Sequence, residues 1–238
     1  MKTQYDTEQW AKGTTRGRHI FNYQFRLFAQ EFRGMEMAKT VTMQEDRDVT
    51  ERVYLWQSKK EPRREVVSVT INESHSWRLA QTQLHLKLQQ CMRPSIPRGT
   101  GKLAPVGDVN FVGRVPVSNV PASVFFARGN VCVSVNSVGE TTIDVSKISL
   151  TLDSFLNEPP TKAQLAKKLV RTRKLKVPSQ KGKKSVTLIA NLRKAAPHGE
   201  WLKVIAPGGE LDREGDRLTY ISTKGRIGIV AMYLMRST

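Results

Sequence analysis

Alternation of apolar and polar residues is the recurring pattern along this chain. In one segment Val67, Val69 and Ile71 lie two residues apart, with polar residues at most positions between them. Successive side chains of a β-strand point to opposite faces, so a period of two predicts strands with one buried face. The pattern or a short apolar run of strand length occurs at 22–27, 52–58, 65–72, 123–127, 131–135, 143–152, 185–192, 200–206, 217–222 and 226–235.

Two of these segments carry further information about the sheet. Segments 123–127 and 131–135 flank Arg128-Gly129-Asn130, which predicts a β-hairpin with a three-residue turn. Segment 226–235 is apolar on both faces, as expected for a central buried strand.

One segment carries signals of a helix and another fits both a helix and a strand. Thr161 is a suitable N-cap after two prolines, and the apolar residues that follow it predict a helix over 161–170. In segment 77–91 the residues Leu84, Leu86 and Leu88 alternate as in a strand, whereas Trp77, Ala80, Leu84, Leu88 and Cys91 have helical spacing. Both alternatives stay open for this segment.

Prolines and glycines are concentrated in residues 92–120, which hold four of each. This composition predicts an extended, irregular segment and a possible internal domain boundary near 92–120. The predicted organisation is a basic N-terminal arm at 1–20 and a β-rich domain at 21–238. With eight to eleven strands and one or two short helices, the predicted fold is mainly β, an antiparallel β-sandwich or barrel (jelly-roll-like).

Charge is the unusual property of the composition. The chain has 39 Lys and Arg against 21 Asp and Glu, a formal net charge of +18. Self-repulsion of this size disfavours the compact state, and basic proteins commonly bind a polyanion. Nucleic acid is therefore the first candidate partner, an anionic membrane surface the second and an acidic protein the third.

The positive charge is concentrated late in the chain. Residues 159–199 include twelve Lys and Arg and no Asp or Glu. Most lie on the predicted helix or in the following segment, where Pro178 and Gly182 favour a loop that projects from the sheet. We predict that these residues contact nucleic-acid phosphates, although a solvated loop would have the same composition. They are Lys162, Lys167, Lys168, Arg171, Arg173, Lys174, Lys176, Lys181, Lys183 and Lys184.

Two further parts of the chain are basic. Arg16 and Arg18 lie in a glycine-containing N-terminal segment, which fits an arm that binds nucleic acid and equally a frayed terminus. Segment 91–139 contains five basic residues and one acidic residue, Asp108. The five are Arg93, Arg98, Lys102, Arg114 and Arg128.

Known catalytic and cofactor motifs are missing from the sequence. It has no phosphate-binding GxxxxGK[ST] loop, no HExxH and no GxSxG, so we expect no enzyme activity and no cofactor. Cys91 and Cys132 are not part of a CxxC pair, so we expect no metal site. We expect both to be free, buried thiols, and a single bridge between them is the alternative. The alternating acids of segment 209–217 fit a hairpin tip better than a calcium loop.

The sequence also shows no membrane or secretion signal. The N-terminal segment has no continuous apolar core, and no run of 18 apolar residues occurs. We therefore expect a cytoplasmic or nuclear location, not secretion, with a virion also compatible.

These features together favour a non-enzymatic protein that coats or packages RNA or single-stranded DNA within a larger homo- or hetero-oligomeric assembly. A basic β-rich body with charged extensions is shared by many viral coat and movement proteins and by subunits of ribonucleoprotein particles, which is an analogy of architecture only. The alternatives are a ribonuclease-like, nucleic-acid-processing enzyme subunit and a peripheral protein of anionic membranes.

Overall fold

A computed structural model describes most of the first two thirds of the chain and the strands of the last third. The described residues are 10, 18–21, 34–46, 49–91, 95–157, 169–176, 187–191, 201–205, 209–214, 217–222 and 229–235. The strands in this part of the chain are β1 (Arg18–Phe21), β2 (Met35–Asp46), β3 (Val49–Ser58), β4 (Val66–Ser74), β5 (Val109–Arg114), β6 (Pro121–Arg128), β7 (Val131–Ser137), β8 (Leu169–Lys176), β9 (Thr187–Asn191), β10 (Trp201–Ile205), β11 (Gly209–Glu214), β12 (Arg217–Ser222) and β13 (Ile229–Met235). The helices are α1 (Trp77–Gln90), α2 (Ser146–Asn157) and a 3₁₀ turn, η1 (Gly101–Leu103).

The largest sheet has six antiparallel strands in the order β2-β3-β4-β7-β6-β5. Together with the two short helices it confirms the predicted mainly β, antiparallel class, consistent with a β-sandwich or barrel-like fold. The β6–β7 hairpin is also confirmed, but Arg128 pairs with Val131, so its turn has two residues and not three. The described residues form thirteen strands, more than the eight to eleven expected.

A helix packs against each face of the six-stranded sheet. Helix α1 buries Leu84 and Leu88 against Phe111 and Phe125, so the helical alternative for this segment is confirmed. Ser76 caps the helix, because its Oγ accepts a hydrogen bond from the Leu79 N–H at 3.2 Å. Helix α2 covers the opposite face of the sheet.

Helix α2 replaces the strand that alternation predicted for 143–152. Ile148, Leu152 and Phe155 are buried in one cluster with Trp56 and Val69. These three residues lie at i, i+4 and i+7, which is the period of a helix face. The alternation of Ile148, Leu150 and Leu152 was misleading because Leu150 is only half-buried.

The other strands form two smaller sheets. One has the order β1-β10-β13-β8, and the other has the order β11-β12-β9. Strand β13 lies between β10 and β8, which confirms the prediction of a central strand for this doubly apolar segment.

Polar contacts of Asn130 and of Arg213 attach the smaller sheets to the large one. The Asn130 side chain accepts a hydrogen bond from the Ile20 N–H at 2.7 Å and donates to the Ile20 carbonyl at 2.8 Å. Strand β1 is thereby fixed to the β6–β7 turn. On β11, Arg213 forms an ion pair with Glu73 of β4 at 3.1 Å.

Segment 92–120 is more regular than its composition predicted. It includes β5, which pairs with β6, and Pro97 accepts a hydrogen bond from the Val112 N–H at 2.8 Å. The buried Asn110 side chain donates hydrogen bonds to the carbonyls of Leu103 and Ala104, both at 3.2 Å. The domain boundary proposed for this segment stays a prediction.

Candidate nucleic-acid interface

The structure places part of the predicted basic site on strands. Arg171, Arg173, Lys174 and Lys176 lie in β8, and Arg18 lies in β1. The other predicted site residues lie outside the described residues. These are Arg16, Lys162, Lys167, Lys168, Lys181, Lys183 and Lys184.

Strand β8 corrects two predictions about this segment. Leu169 and Val170 were expected in a helix and residues 171–176 in a projecting loop, but all belong to β8. The strand pairs antiparallel with β13, where Met232 is opposite Arg173. Alternating residues along an apolar central strand favour this pairing over a free loop.

The alternation of β8 divides its basic positions between the two faces of the sheet. Positions 171 and 173 lie on one face, and positions 174 and 176 lie on the other. On either face the two positions are about 6.8 Å apart, because a strand rises about 3.4 Å per residue. The four positions therefore do not share one face, but all lie along a single edge strand of the described sheet.

Arg18 belongs to the same sheet as β8 but lies at its opposite edge. The ladders connect Arg18 to Ile205, Ile205 to Ala231, and Ala231 to Lys174. Three strand spacings separate Arg18 from Lys174 by about 14 Å. The N-terminal and late basic segments, far apart in sequence, thus share one cross-strand row but lie at its two ends.

Both faces of this sheet are covered near β1 and β10. Ile20 of β1 and Val204 of β10 occupy opposite faces, because His19, and not Ile20, pairs with Val204. Both are buried, with exposures of 2% and 0%. Among the described strands of this sheet, β8 is the edge farthest from these covered positions.

Several basic side chains elsewhere are internal and cannot form part of an exposed surface. Arg128 was counted in the basic surplus of 91–139, but its guanidinium forms ion pairs with Asp153 at 2.7 Å and with Asp108 at 3.0 Å. Burial by itself lowers the pKa of Arg128, but the hydrogen bonds and negative charges of the two carboxylates outweigh burial and raise it.

Two more buried carboxylates, Glu73 and Glu51, form ion pairs with basic residues of β3, β11 and α1. Glu73 pairs with Arg52 at 3.3 Å and with Arg213 at 3.1 Å. Glu51 pairs with Lys87 at 3.0 Å and accepts a hydrogen bond from Asn72 at 2.8 Å.

The acids and bases of these buried ion pairs are equal in number. Among the described residues, four acids pair internally with four bases. Removing them from the totals of 21 acids and 39 bases leaves 17 acids and 35 bases, so the whole net charge of +18 lies on the other residues. The net positive charge of the chain therefore lies outside these four acids and four bases.

The acidic segment 209–217 has the structure expected of a hairpin. Strands β11 and β12 pair antiparallel, with Glu214 opposite Arg217. Arg213 of this hairpin pairs with the distant Glu73, a contact that sequence spacing does not reveal.

Cys91 and Cys132 are not joined by a disulfide, and Cys132 is buried as expected, whereas Cys91 is only half-buried. Burial raises the pKa of the Cys132 thiol to about 12, with a smaller lowering by Lys87 and a raising by Glu51. Within the described part of the chain, no group of three or more His, Cys, Asp or Glu side chains is placed to hold a metal ion.

Neither α1 nor α2, the described α-helices, combines the length and apolar character that a membrane-spanning helix needs. Comparisons of the chain with family models, with curated proteins and with solved structures find no match.

Proposed function

We propose that the protein is a non-enzymatic structural protein that coats or packages RNA or single-stranded DNA through contacts with phosphates. The observation that carries the proposal is β8, an edge strand with four basic residues in six consecutive positions, 171–176. The charge balance supports it, since the buried ion pairs of the described residues leave the +18 excess uncompensated.

The geometry of an extended strand suits a repeating polyanion. Basic positions two apart are separated by about 6.8 Å, so an extended strand presents positive charges at a regular spacing along its length. Arg171 and Arg173 on one face, and Lys174 and Lys176 on the other, are spaced to reach phosphates of a chain that follows the sheet edge. Such contacts do not depend on base sequence.

Coating a nucleic acid requires many copies of the protein along the polymer. We include assembly in the proposal, as a viral or ribonucleoprotein particle, because backbone binding without base readout gives affinity at every register along the polymer. Cytoplasm, nucleus or virion is the corresponding location.

Charge reversal along β8 tests the proposal. The variant Arg171→Glu, Arg173→Glu, Lys174→Glu is compared with Lys59→Glu, Lys60→Glu, Arg63→Glu, which reverses three exposed charges in the β3–β4 turn. Filter binding to single-stranded RNA at low salt is the measurement, and circular dichroism verifies the fold. We expect the β8 variant to lose binding and the turn variant to retain at least a tenth of the wild-type affinity. Unchanged affinity of a folded β8 variant would refute the assignment.

A further inference from the structure

The loop between α1 and β5 is held in one conformation by a buried amide. Asn110 of β5 is 5% exposed, and its Oδ1 accepts a hydrogen bond from the Gly99 N–H at 2.8 Å. Its Nδ2 donates to the carbonyls of Leu103 and Ala104. Both ends of the amide therefore bind backbone groups of residues 99–104, which we call the 99–104 loop.

Arg98 stands at the start of this loop on an aromatic surface. Its guanidinium carbon lies 4.9 Å from the centre of the Phe111 ring and 5.9 Å from that of the Trp10 ring. The backbone of Arg98 is fixed by a β-bridge to Phe111. Both rings are buried, and the guanidinium packs over them while Arg98 itself is exposed to solvent.

The Arg98 guanidinium forms no ion pair with a described residue, in contrast to Arg128. Its pKa is lowered, and the cause is desolvation by burial, with no carboxylate to offset it. A cation that is partly desolvated by packing on two rings gains free energy when an anion supplies the missing charge and hydrogen-bond acceptors.

The surroundings of Arg98 add positive charge and open space. Lys102 in the 99–104 loop is exposed, and a Cβ built on Gly101 would meet nothing within 4 Å. The nearest acid in sequence, Asp108, is occupied by Arg128 and by the Gly129 N–H at 2.8 Å.

We propose that Arg98 and the 99–104 loop form a phosphate-binding site, with Arg98 as its main ligand and Lys102 as a second cation. Resting on the proposed function, the site contacts a backbone phosphodiester of the bound nucleic acid, outside the late basic segment 159–199. A planar guanidinium held on a ring presents its N–H groups to a phosphate in a fixed fork.

The experiment compares Arg98→Gln with Arg63→Gln, which removes an exposed arginine from the β3–β4 turn. Affinity for a 20-nucleotide oligouridylate is measured between 50 and 200 mM salt, and thermal melts verify the fold. We expect Arg98→Gln to weaken binding about tenfold and to reduce the slope of log affinity against log salt by about 0.7, the value for one single-strand phosphate. Arg63→Gln should match the wild type.

A conservative variant tests whether binding requires the planar guanidinium of Arg98 and not only its charge. Arg98→Lys retains the charge but loses the planar group, so we expect an affinity between those of the wild type and Arg98→Gln. Wild-type affinity and salt slope in a folded Arg98→Gln would overturn the site while leaving the proposed function in place.

Inorganic pyrophosphate separates the site from the proposed function. If the wild type binds no oligonucleotide, the proposed function has failed, and calorimetric titration with pyrophosphate then tests the site alone. Saturable pyrophosphate binding that Arg98→Gln abolishes supports the site. No difference between the wild type and Arg98→Gln contradicts it.

Discussion

Arg128 connects three separate parts of the fold through one side chain. It leaves the end of β6, pairs with Asp153 of α2 and Asp108 before β5, and donates to the Pro105 carbonyl at 3.1 Å. The side chains of Arg128, Asp108 and Asp153 are 8%, 4% and 10% exposed. The same residue type that makes this protein basic thus has a purely structural role at this position.

Removing the Arg128 guanidinium should destabilise the fold strongly. In Arg128→Met the two carboxylates stay buried without a cation, and we expect a loss of about 3–5 kcal/mol in the free energy of unfolding. The exposed Arg63→Met serves as control and should change stability by no more than about 0.5 kcal/mol. Urea unfolding measures both. A loss below about 1 kcal/mol in Arg128→Met would show that the ion pairs of Arg128 with Asp108 and Asp153 contribute little to stability.

Cys132 makes the stability of the protein depend on alkaline pH. Its pKa rises from 9.0 to about 12 on folding, so the folded state disfavours the thiolate. The resulting stability is fully present below pH 9 and is lost as pH rises towards 12, by about 1.4 kcal/mol per pH unit.

The variant Cys132→Ala has no thiol to titrate and is the reference for this effect. Urea unfolding under reducing conditions at pH 8 and pH 10 should show an extra loss of about 1.4 kcal/mol in the wild type. Equal losses in the two proteins would mean that Cys132 ionises as readily in the folded state as in the unfolded one.

At the scale of elements, the sequence predicted strands well where one face is buried and the other is not. Val67, Val69 and Ile71 are fully buried in β4, as their alternation indicated. The strand prediction failed at Ile148 and Leu152, which belong to helix α2. Together with the half-buried Leu150 they alternate as in a strand, because a few apolar residues can satisfy both the strand and the helix period.

Strand β8 shows why the site was harder to predict than the fold. Lys and Arg favour exposed helices and loops, and only pairing with the apolar β13 explains their extended conformation. Pairing between distant segments, such as the row that joins Arg18 to Lys174, leaves no local signal in the sequence. The charge of the site was predictable, but its division between two faces was not.

Two glycines in the segment before β5 provide a matched test of local packing. Gly107 and Gly101 both have positive φ, +70° and +57°, so an alanine at either site costs about 1–2 kcal/mol. At Gly107 a Cβ would also lie 2.8 Å from the Ala127 carbonyl oxygen, whereas Gly101 faces open space.

We therefore expect Gly107→Ala to be less stable than Gly101→Ala by about 1–3 kcal/mol. Urea unfolding of the two variants under identical conditions measures the difference. Equal stability would contradict the close packing of residues 107 and 127.

At the scale of the whole molecule, the buried ion pairs of the described residues sum to zero charge, and the net charge of +18 lies outside them. The buried carboxylates compensate the buried cations one for one in the described residues, so the compact state does not contain unpaired buried charge there. The excess lies on other residues, including the basic positions of β8, and we propose that a polyanion neutralises it.

The affinity of the unmodified protein for single-stranded RNA, titrated from 50 to 200 mM salt, tests this account most directly. A protein that neutralises six to ten phosphates of a single strand releases about 0.7 counterion per phosphate, so we expect the affinity to fall by about 2.5 to 4 decades over this range. No binding at 50 mM salt, or an affinity that does not change with salt, would contradict a protein whose positive charge binds the phosphates of a nucleic acid.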